Sequence, residues 1–238
     1  MASTIEPRSR SAYTVEWVCA LPKEQTASMA IMDAIHPILP KPPGDPNNYT
    51  LGSVGKHNIV IACVPKGQIG TNSTATVTTW MALTSSREWS KHTSSLNNPP
   101  TALPAALGKL ESEHELTVTK IPEYLDGMGK KWLRLKYLNA PGDEGEHEGD
   151  EENCRYCDKT RILRRKPREA RVHYDLIASG NQVIKDAVFR DKLNSNFGKQ
   201  LSVRVIRGIC DYADSHKNKA LQEHTAAVAA ALAKELLQ

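Results

Sequence analysis

The chain has 238 residues, of which 39% are hydrophobic and 24% are charged. That length and composition are typical of a globular protein with a sizeable core. The net charge of +4 is too small to indicate nucleic-acid binding. No apolar run is long enough to span a membrane, and residues 1–12 lack the apolar centre of a secretory signal. We therefore expect a cytoplasmic protein with no membrane and no nucleic-acid partner.

The first 64 residues predict the opening of an α/β fold. Residues 13–20 are rich in β-branched and aromatic side chains, which indicates a strand, and residues 24–36 carry apolar side chains at helical spacing. A proline-rich loop follows at residues 37–48. Residues 49–54 and 59–64 then predict two strands that pair as a hairpin.

A glycine-containing turn and two further helices follow the hairpin. Gly67 and Gly70 lead into a helix that ends near Leu83, and such a turn places backbone N–H groups where an anion can bind. Residues 84–100 predict a loop, and residues 101–114 return to helical spacing.

The last third of the chain predicts two more strands and a long helix. Residues 172–178 indicate a strand. Residues 202–210 form a nearly continuous apolar run, which is typical of a strand buried on both faces. Residues 215–238 carry leucines and a valine along one helical stripe.

Residues 139–171 carry a strong charge asymmetry, with acids concentrated before position 152 and bases after it. Such runs are usually solvated, which is one interpretation. The other interpretation is a basic patch that binds a nucleotide phosphate or a nucleic acid. We expect a single domain over residues 13–238 that contains this stretch as a charged insertion.

Acidic and polar side chains follow three of the predicted strands. Glu24 comes after the first strand, Ser179, Gly180 and Asn181 come after another, and Asp211 and Asp214 come after the last. Ligands bind at the carboxyl ends of strands in α/β sheets. A pair of carboxylates could supply an acid and a base there. The alternative is structural, since Glu24 and Asp214 both suit the first turn of a helix.

Four segments resemble the nucleoside phosphorylase and nucleosidase superfamily in order and spacing. The similarity is strongest to the fungal type that precedes NACHT, NB-ARC or ankyrin-repeat regions. The segments are VCALPKE at 18–24, GQIG at 67–70, LIASGN at 176–181 and VIRGICDYAD at 205–214. The resemblance implies a three-layer α/β/α domain with a central mixed sheet.

The resemblance also implies cleavage of the N-glycosidic bond of a purine nucleoside or nucleotide. Asp211 would be the acid that protonates the leaving base, and Glu24 would activate water in the hydrolytic branch. Phosphate would be the co-substrate in the phosphorolytic branch, and no other cofactor is implied. The pocket wall would comprise Gly67, Gly70, Ser179, Gly180, Asn181, Val183 and Ile184.

Two family segments have no counterpart in this chain. A glycine-rich loop that contacts phosphate or sugar is absent where Leu83 runs into residues 84–100, and the ribose-binding glutamate is absent before residue 202. The sheet is therefore expected to be truncated and the activity impaired. The alternative function is a catalytically inactive nucleoside-binding or signalling module, and either form is compatible with a homo-oligomer.

The cysteines and histidines leave three interpretations open. Cys154 and Cys157, with His147 and His173 nearby, could bind zinc, form a redox pair or lie unligated in a loop. Cys19, Cys63 and Cys210 fall in apolar runs, where a reduced cysteine behaves as a small hydrophobic residue. His114 shows no clustering with other histidines, and we expect it at the surface.

Overall fold

A computed structural model describes residues 8–68, 70–84, 102–132, 171–174, 205–210 and 221–238. Within these ranges the chain forms four strands and five α-helices, preceded by a 3-10 turn at Arg10–Ala12. In chain order they are β1 (Val15–Cys19), α1 (Pro22–Ile31), β2 (Ala34–His36), β3 (Tyr49–Val54), β4 (His57–Cys63), α2 (Thr71–Thr84), α3 (Ala102–Leu116), α4 (Ile121–Lys131) and α5 (Leu221–Leu236). No helix in the described part is long and apolar enough to cross a membrane.

The four strands form one mixed sheet in the order β1-β4-β3-β2. Strands β3 and β4 pair antiparallel as the predicted hairpin, with Val54 opposite His57. β1 then joins β4 in parallel, with Val15 opposite Ile59 and Cys19 opposite Cys63. The parallel pair places the carboxyl ends of β1 and β4 side by side.

Helices cover both faces of the sheet because β4 is apolar on both sides. Val60 and Ala62 pack with Val77 and Met81 of α2. Ile59 and Ile61 point to the opposite face, where they pack with Met32 at the end of α1. On that side α1 packs against α4 and α5. The α/β class predicted from the sequence is confirmed, with a mixed sheet between helical layers.

The predicted helix over residues 24–36 is wrong at its carboxyl end. Helix α1 ends at Ile31, and residues 34–36 form β2, which pairs antiparallel with β3. The Asp33 N–H donates to Ser53 O at 2.9 Å, so the backbone has already left the helix at this residue. Pairing with the hairpin edge therefore overrides the helical spacing of the side chains.

The predicted strand at residues 202–210 is wrong over its described part. Residues 205–210 form no strand, and Val205 and Ile209 are 47% and 69% exposed. Gly208 instead lies against α5, close to the backbone of Thr225. A strand that is buried on both faces has to belong to a sheet covered on both faces. The four-stranded sheet of the described residues does not include this segment.

Several other predictions fall largely outside the described residues. Residues 171–174 have no regular secondary structure, and the rest of the strand predicted over 172–178 lies outside the described ranges. Residues 85–101 also lie outside the described ranges. The same is true of residues 139–170, which include almost the whole charged insertion.

Candidate functional site

Glu24 lies where β1 ends and α1 begins. Pro22 occupies the first position of the helix, where its fixed φ is favourable and its missing N–H costs nothing. Glu24 Oε2 accepts the backbone N–H of Ala20 at 2.7 Å and that of Leu21 at 3.1 Å. The carboxylate is therefore held at the positive end of the helix, as the structural interpretation of this residue expects.

The glycine turn lies at the same edge of the sheet as Glu24. The N–H of Val64, directly after β4, donates to Cys19 O at the end of β1, over 2.9 Å. Gly67 and Gly70 both have a φ of 89°, which favours glycine. A Cβ added to Gly67 would meet nothing within 4 Å, so this glycine is required by its backbone conformation and not by crowding.

Two thiols occupy the last positions of β1 and β4. Cys19 is buried, and its Sγ lies 3.4 Å from Ser28 Oγ. Burial raises the pKa of Cys19 to about 12, with the negative charge of Glu24 adding to the effect and the Ser28 hydrogen bond opposing it. Burial and the charge of Glu24 also raise the pKa of Cys63. Both thiols are therefore protonated at neutral pH.

The pairing of these cysteines was not foreseen from the sequence. Each falls near the end of a predicted strand, but only the parallel register of β1 and β4 makes them neighbours. Among the described residues, no group of three or more His, Cys, Asp or Glu side chains is placed to hold a metal ion.

The structure places only part of the predicted site. Glu24, Gly67 and Gly70 lie at the same end of the sheet, beyond the carboxyl ends of β1 and β4. The other predicted site residues lie outside the described ranges: Ser179, Gly180, Asn181, Val183, Ile184 and Asp211. Cys154, Cys157 and His147 also lie outside them, so none of the three interpretations of this cysteine pair is tested.

A second polar cluster joins α3, α5 and residues 171–174. The His114 side chain is only 11% exposed, so its expected surface position is wrong. His114 Nδ1 lies 2.7 Å from Tyr174 Oη, and Nε2 lies 3.2 Å from Glu235 Oε2. Burial and the charges of Glu111 and Glu235 raise the pKa of Tyr174 to about 12. These partners are distant in sequence, which is why no local pattern indicated the cluster.

One curated protein shows clear similarity to this chain. It is described as a "Nucleotide-binding leucine-rich repeat (NLR)-like protein" from the fungus Hyaloscypha variabilis (strain UAMH 11265 / GT02V1 / F). The match is 32% identical over 292 residues and covers 94% of this chain but 29% of the relative. No family model and no solved structure matches the chain.

The matched region is longer than this chain. It extends over 292 residues, whereas the whole chain has 238. The relative therefore contains residues within the matched region that have no counterpart here.

Proposed function

We propose that this chain is a purine nucleoside- or nucleotide-cleaving domain of the nucleoside phosphorylase type, with reduced activity. The observation that carries the proposal is the position of Glu24. Its carboxylate is fixed at the carboxyl end of a parallel strand pair, at the same sheet edge as the turn of Gly67 and Gly70. In α/β sheets this edge is where ligands bind.

Glu24 can cap the first turn of α1 with one carboxylate oxygen and take part in a reaction with the other. Its Oε2 atom is held by two backbone N–H groups, and no hydrogen bond from the described residues reaches Oε1. Oε1 would accept a proton from an attacking water in hydrolysis, while phosphate would attack in phosphorolysis. Two fixed donors on one oxygen orient the other, so the base would be in place before the substrate binds.

Asp211 would complete the reaction as the acid. Breaking the N-glycosidic bond moves electrons onto the purine, and a protonated Asp211 would donate to the leaving base. Charge would build on the sugar as an oxocarbenium ion. Val183 and Ile184 would contact the base, and Ser179, Gly180 and Asn181 would form the adjoining pocket wall.

Two observations support reduced activity. Residues 205–210, which lead directly to Asp211, are not part of the sheet in the described structure. The relative also has residues inside the matched region that this chain lacks, which is consistent with removal of internal segments. Positioning and electrostatic stabilisation supply a large part of enzymatic rate enhancement, so the loss of family segments that hold the substrate would cost most of the activity.

A nucleoside-binding module without turnover is the second candidate. The exposure of Val205 and Ile209 favours it, because a segment outside the sheet would deliver Asp211 less accurately than a buried strand. The similarity to an NLR-like protein supports a role as one module of a larger signalling protein.

Release of free purine base tests the proposal. Adenosine, inosine and ATP are incubated with the folded chain, with and without phosphate, and products are separated by chromatography. Base should appear slowly, and Asp211→Asn should reduce its release at least tenfold. Where release does not require phosphate, Glu24→Gln should also reduce it at least tenfold, because Glu24 would activate the attacking water. Asp126→Asn is the matched control, because its carboxylate is 78% exposed and pairs with Lys130 on the surface of α4.

The same assay shows whether phosphate or water is the nucleophile, and whether the chain is an enzyme or a binding module. A requirement for phosphate indicates phosphorolysis, and its absence indicates hydrolysis. No base from any substrate, with circular dichroism showing a folded chain, would contradict the enzyme proposal. Binding of adenosine in equilibrium dialysis by that same protein would then favour the module.

A further inference from the structure

The first two turns of α5 contact two parts of the chain on which the candidate site depends. On one side, Lys23 Nζ in the first turn of α1 lies 3.2 Å from Glu223 Oε1. On another side, Gly208 lies against the backbone of Thr225. Successive residues of an α-helix are about 100° apart around its axis, so Glu223 and Thr225 are on nearly opposite sides of α5.

Helices α1 and α5 run parallel, and charged side chains join them at both ends. Lys23 and Glu223 pair at the amino ends. At the carboxyl ends, Lys234 Nζ donates to Ile31 O at 3.3 Å and pairs with Asp33. These contacts determine how far α5 lies along α1. The loss of the first pair would therefore free the amino end of α5, which is the end nearer to Glu24.

Glu223 is the more buried partner of the amino-terminal pair. Its side chain is 11% exposed, whereas that of Lys23 is 38% exposed. Among the described residues, Lys23 is the cation that pairs with this carboxylate. Removing the lysine would leave a buried charge without its partner, which is strongly unfavourable. Removing the carboxylate would leave an ammonium group that can still reach water.

We propose that Glu223 is a positioning residue of the candidate site and acts through its ion pair with Lys23. The inference rests on the proposed function. The pair holds the first turn of α5 beside the residue that precedes Glu24, and α5 in turn contacts the segment of residues 205–210. Glu223 would contact neither the substrate nor a reacting atom.

The contact of Gly208 with α5 limits where Asp211 can lie. Three residues of extended chain span at most about 10 Å, so Asp211 has to lie within that distance of Gly208. A shift of the first turn of α5 would move this segment relative to Glu24. The ion pair would therefore help to set the distance between the two carboxylates of the proposed reaction.

Alkylation of Cys210 tests the structural part of the inference without turnover. Cys210 ends the segment of residues 205–210 and is partly buried. Its reaction with iodoacetamide is followed by peptide mass spectrometry. Lys23→Met should raise the rate roughly threefold, because it leaves the buried carboxylate unpaired. Glu223→Gln should raise it less, because glutamine can still accept a hydrogen bond from Lys23.

Three controls separate positioning from general loss of stability. Cys19 is 1% exposed, and its alkylation rate should not change in these variants. Lys130→Met is the matched control for Lys23→Met, since it breaks an exposed pair with Asp126 on α4. The charge-swapped chain Lys23→Glu/Glu223→Lys keeps the pair, and its Cys210 rate should return to within about twofold of the wild type.

The base-release assay tests the functional part. Lys23→Met should lower kcat roughly fivefold and leave KM within about twofold, because the acid acts on the leaving base in the transition state. The charge-swapped chain should recover most of this loss. A raised KM with an unchanged kcat would contradict the positioning role, since it would indicate that the pair binds the substrate.

Three alkylation results would overturn the inference. They are an unchanged Cys210 rate in Lys23→Met, an equal rise at Cys19, and a charge-swapped chain that is no closer to the wild type than Lys23→Met. If the wild-type chain releases no base, the proposed function fails. The Cys210 rates then decide by themselves whether the ion pair positions residues 205–210.

Discussion

Replacing Gly208 by alanine tests whether residues 205–210 pack on α5. An added Cβ would overlap the backbone carbonyl of Thr225 and would lie 2.6 Å from the Thr225 Cβ. Backbone atoms inside a helix cannot rotate away as a flexible side chain can. Either the segment or the helix must therefore shift to accommodate one methyl group.

The magnitude follows from overpacking. Forcing an extra methyl into a filled site usually costs about 1–3 kcal/mol. For a chain of this size, 1 kcal/mol lowers Tm by roughly 2–4 °C, so Gly208→Ala should lower Tm by about 2–12 °C.

Gly127→Ala is the matched control, since it makes the same chemical change in open space. Gly127 lies within α4, and a Cβ there meets nothing within 4 Å. Alanine is favoured over glycine in a helix by about 0.5–1 kcal/mol, so this variant should melt slightly above the wild type. Both variants are compared by thermal unfolding followed at 222 nm. An unchanged Tm for Gly208→Ala would refute the packing of this segment on α5.

Three further predictions concern single side chains. Glu24→Ala should lower the free energy of unfolding by about 1 kcal/mol in urea, and Glu24→Gln by less, because only alanine removes the acceptor of the two N–H groups; equal losses would contradict this. Burial raises the pKa of Asp33. The hydrogen bonds from Lys234 and the Gly55 N–H and the charge of Lys234 lower this pKa by more, so that it lies below its ordinary value. Asp33 therefore stabilises the fold above its unfolded pKa of about 4, and this contribution is lost as the pH falls through the lower folded pKa. Since Asp33 is 45% exposed, Asp33→Asn should cost roughly 0.5–1 kcal/mol at pH 7 and nothing in strong acid; a pH-independent difference in urea unfolding would contradict it. Absorbance titration at 295 nm should lose its highest step, near pH 12, in Tyr174→Phe, and an unchanged curve would show that Tyr174 is not buried beside His114.

Local patterns predicted the elements whose partners are close in sequence. The β3–β4 hairpin needed only two strand-forming runs and a short turn between them. Strand β1 and the start of α1 could also be predicted from local sequence, because β-branched residues precede a proline at the first helical position. These features also placed Glu24 at the end of a strand, and the structure has it between β1 and α1.

The remaining features depend on partners that a local pattern does not specify. Residues 34–36 have helical spacing but pair with residues 51–53 of β3, so each register partner lies 15 to 19 residues later in the chain. Cys19 and Cys63 become neighbours only through the parallel register of their strands. Residues 205–210 have the composition of a buried strand, but the sheet of the described residues does not include them. Strand propensity indicates that a side chain suits a sheet, but it does not specify which strand will pair with the segment.

The most direct test of the central claim is release of free purine base by the folded chain, compared with Asp211→Asn. We predict a slow release from at least one of adenosine, inosine and ATP, reduced at least tenfold in the variant. Complete absence of base, from protein whose circular dichroism shows the α/β fold, would contradict the claim that this chain cleaves the N-glycosidic bond.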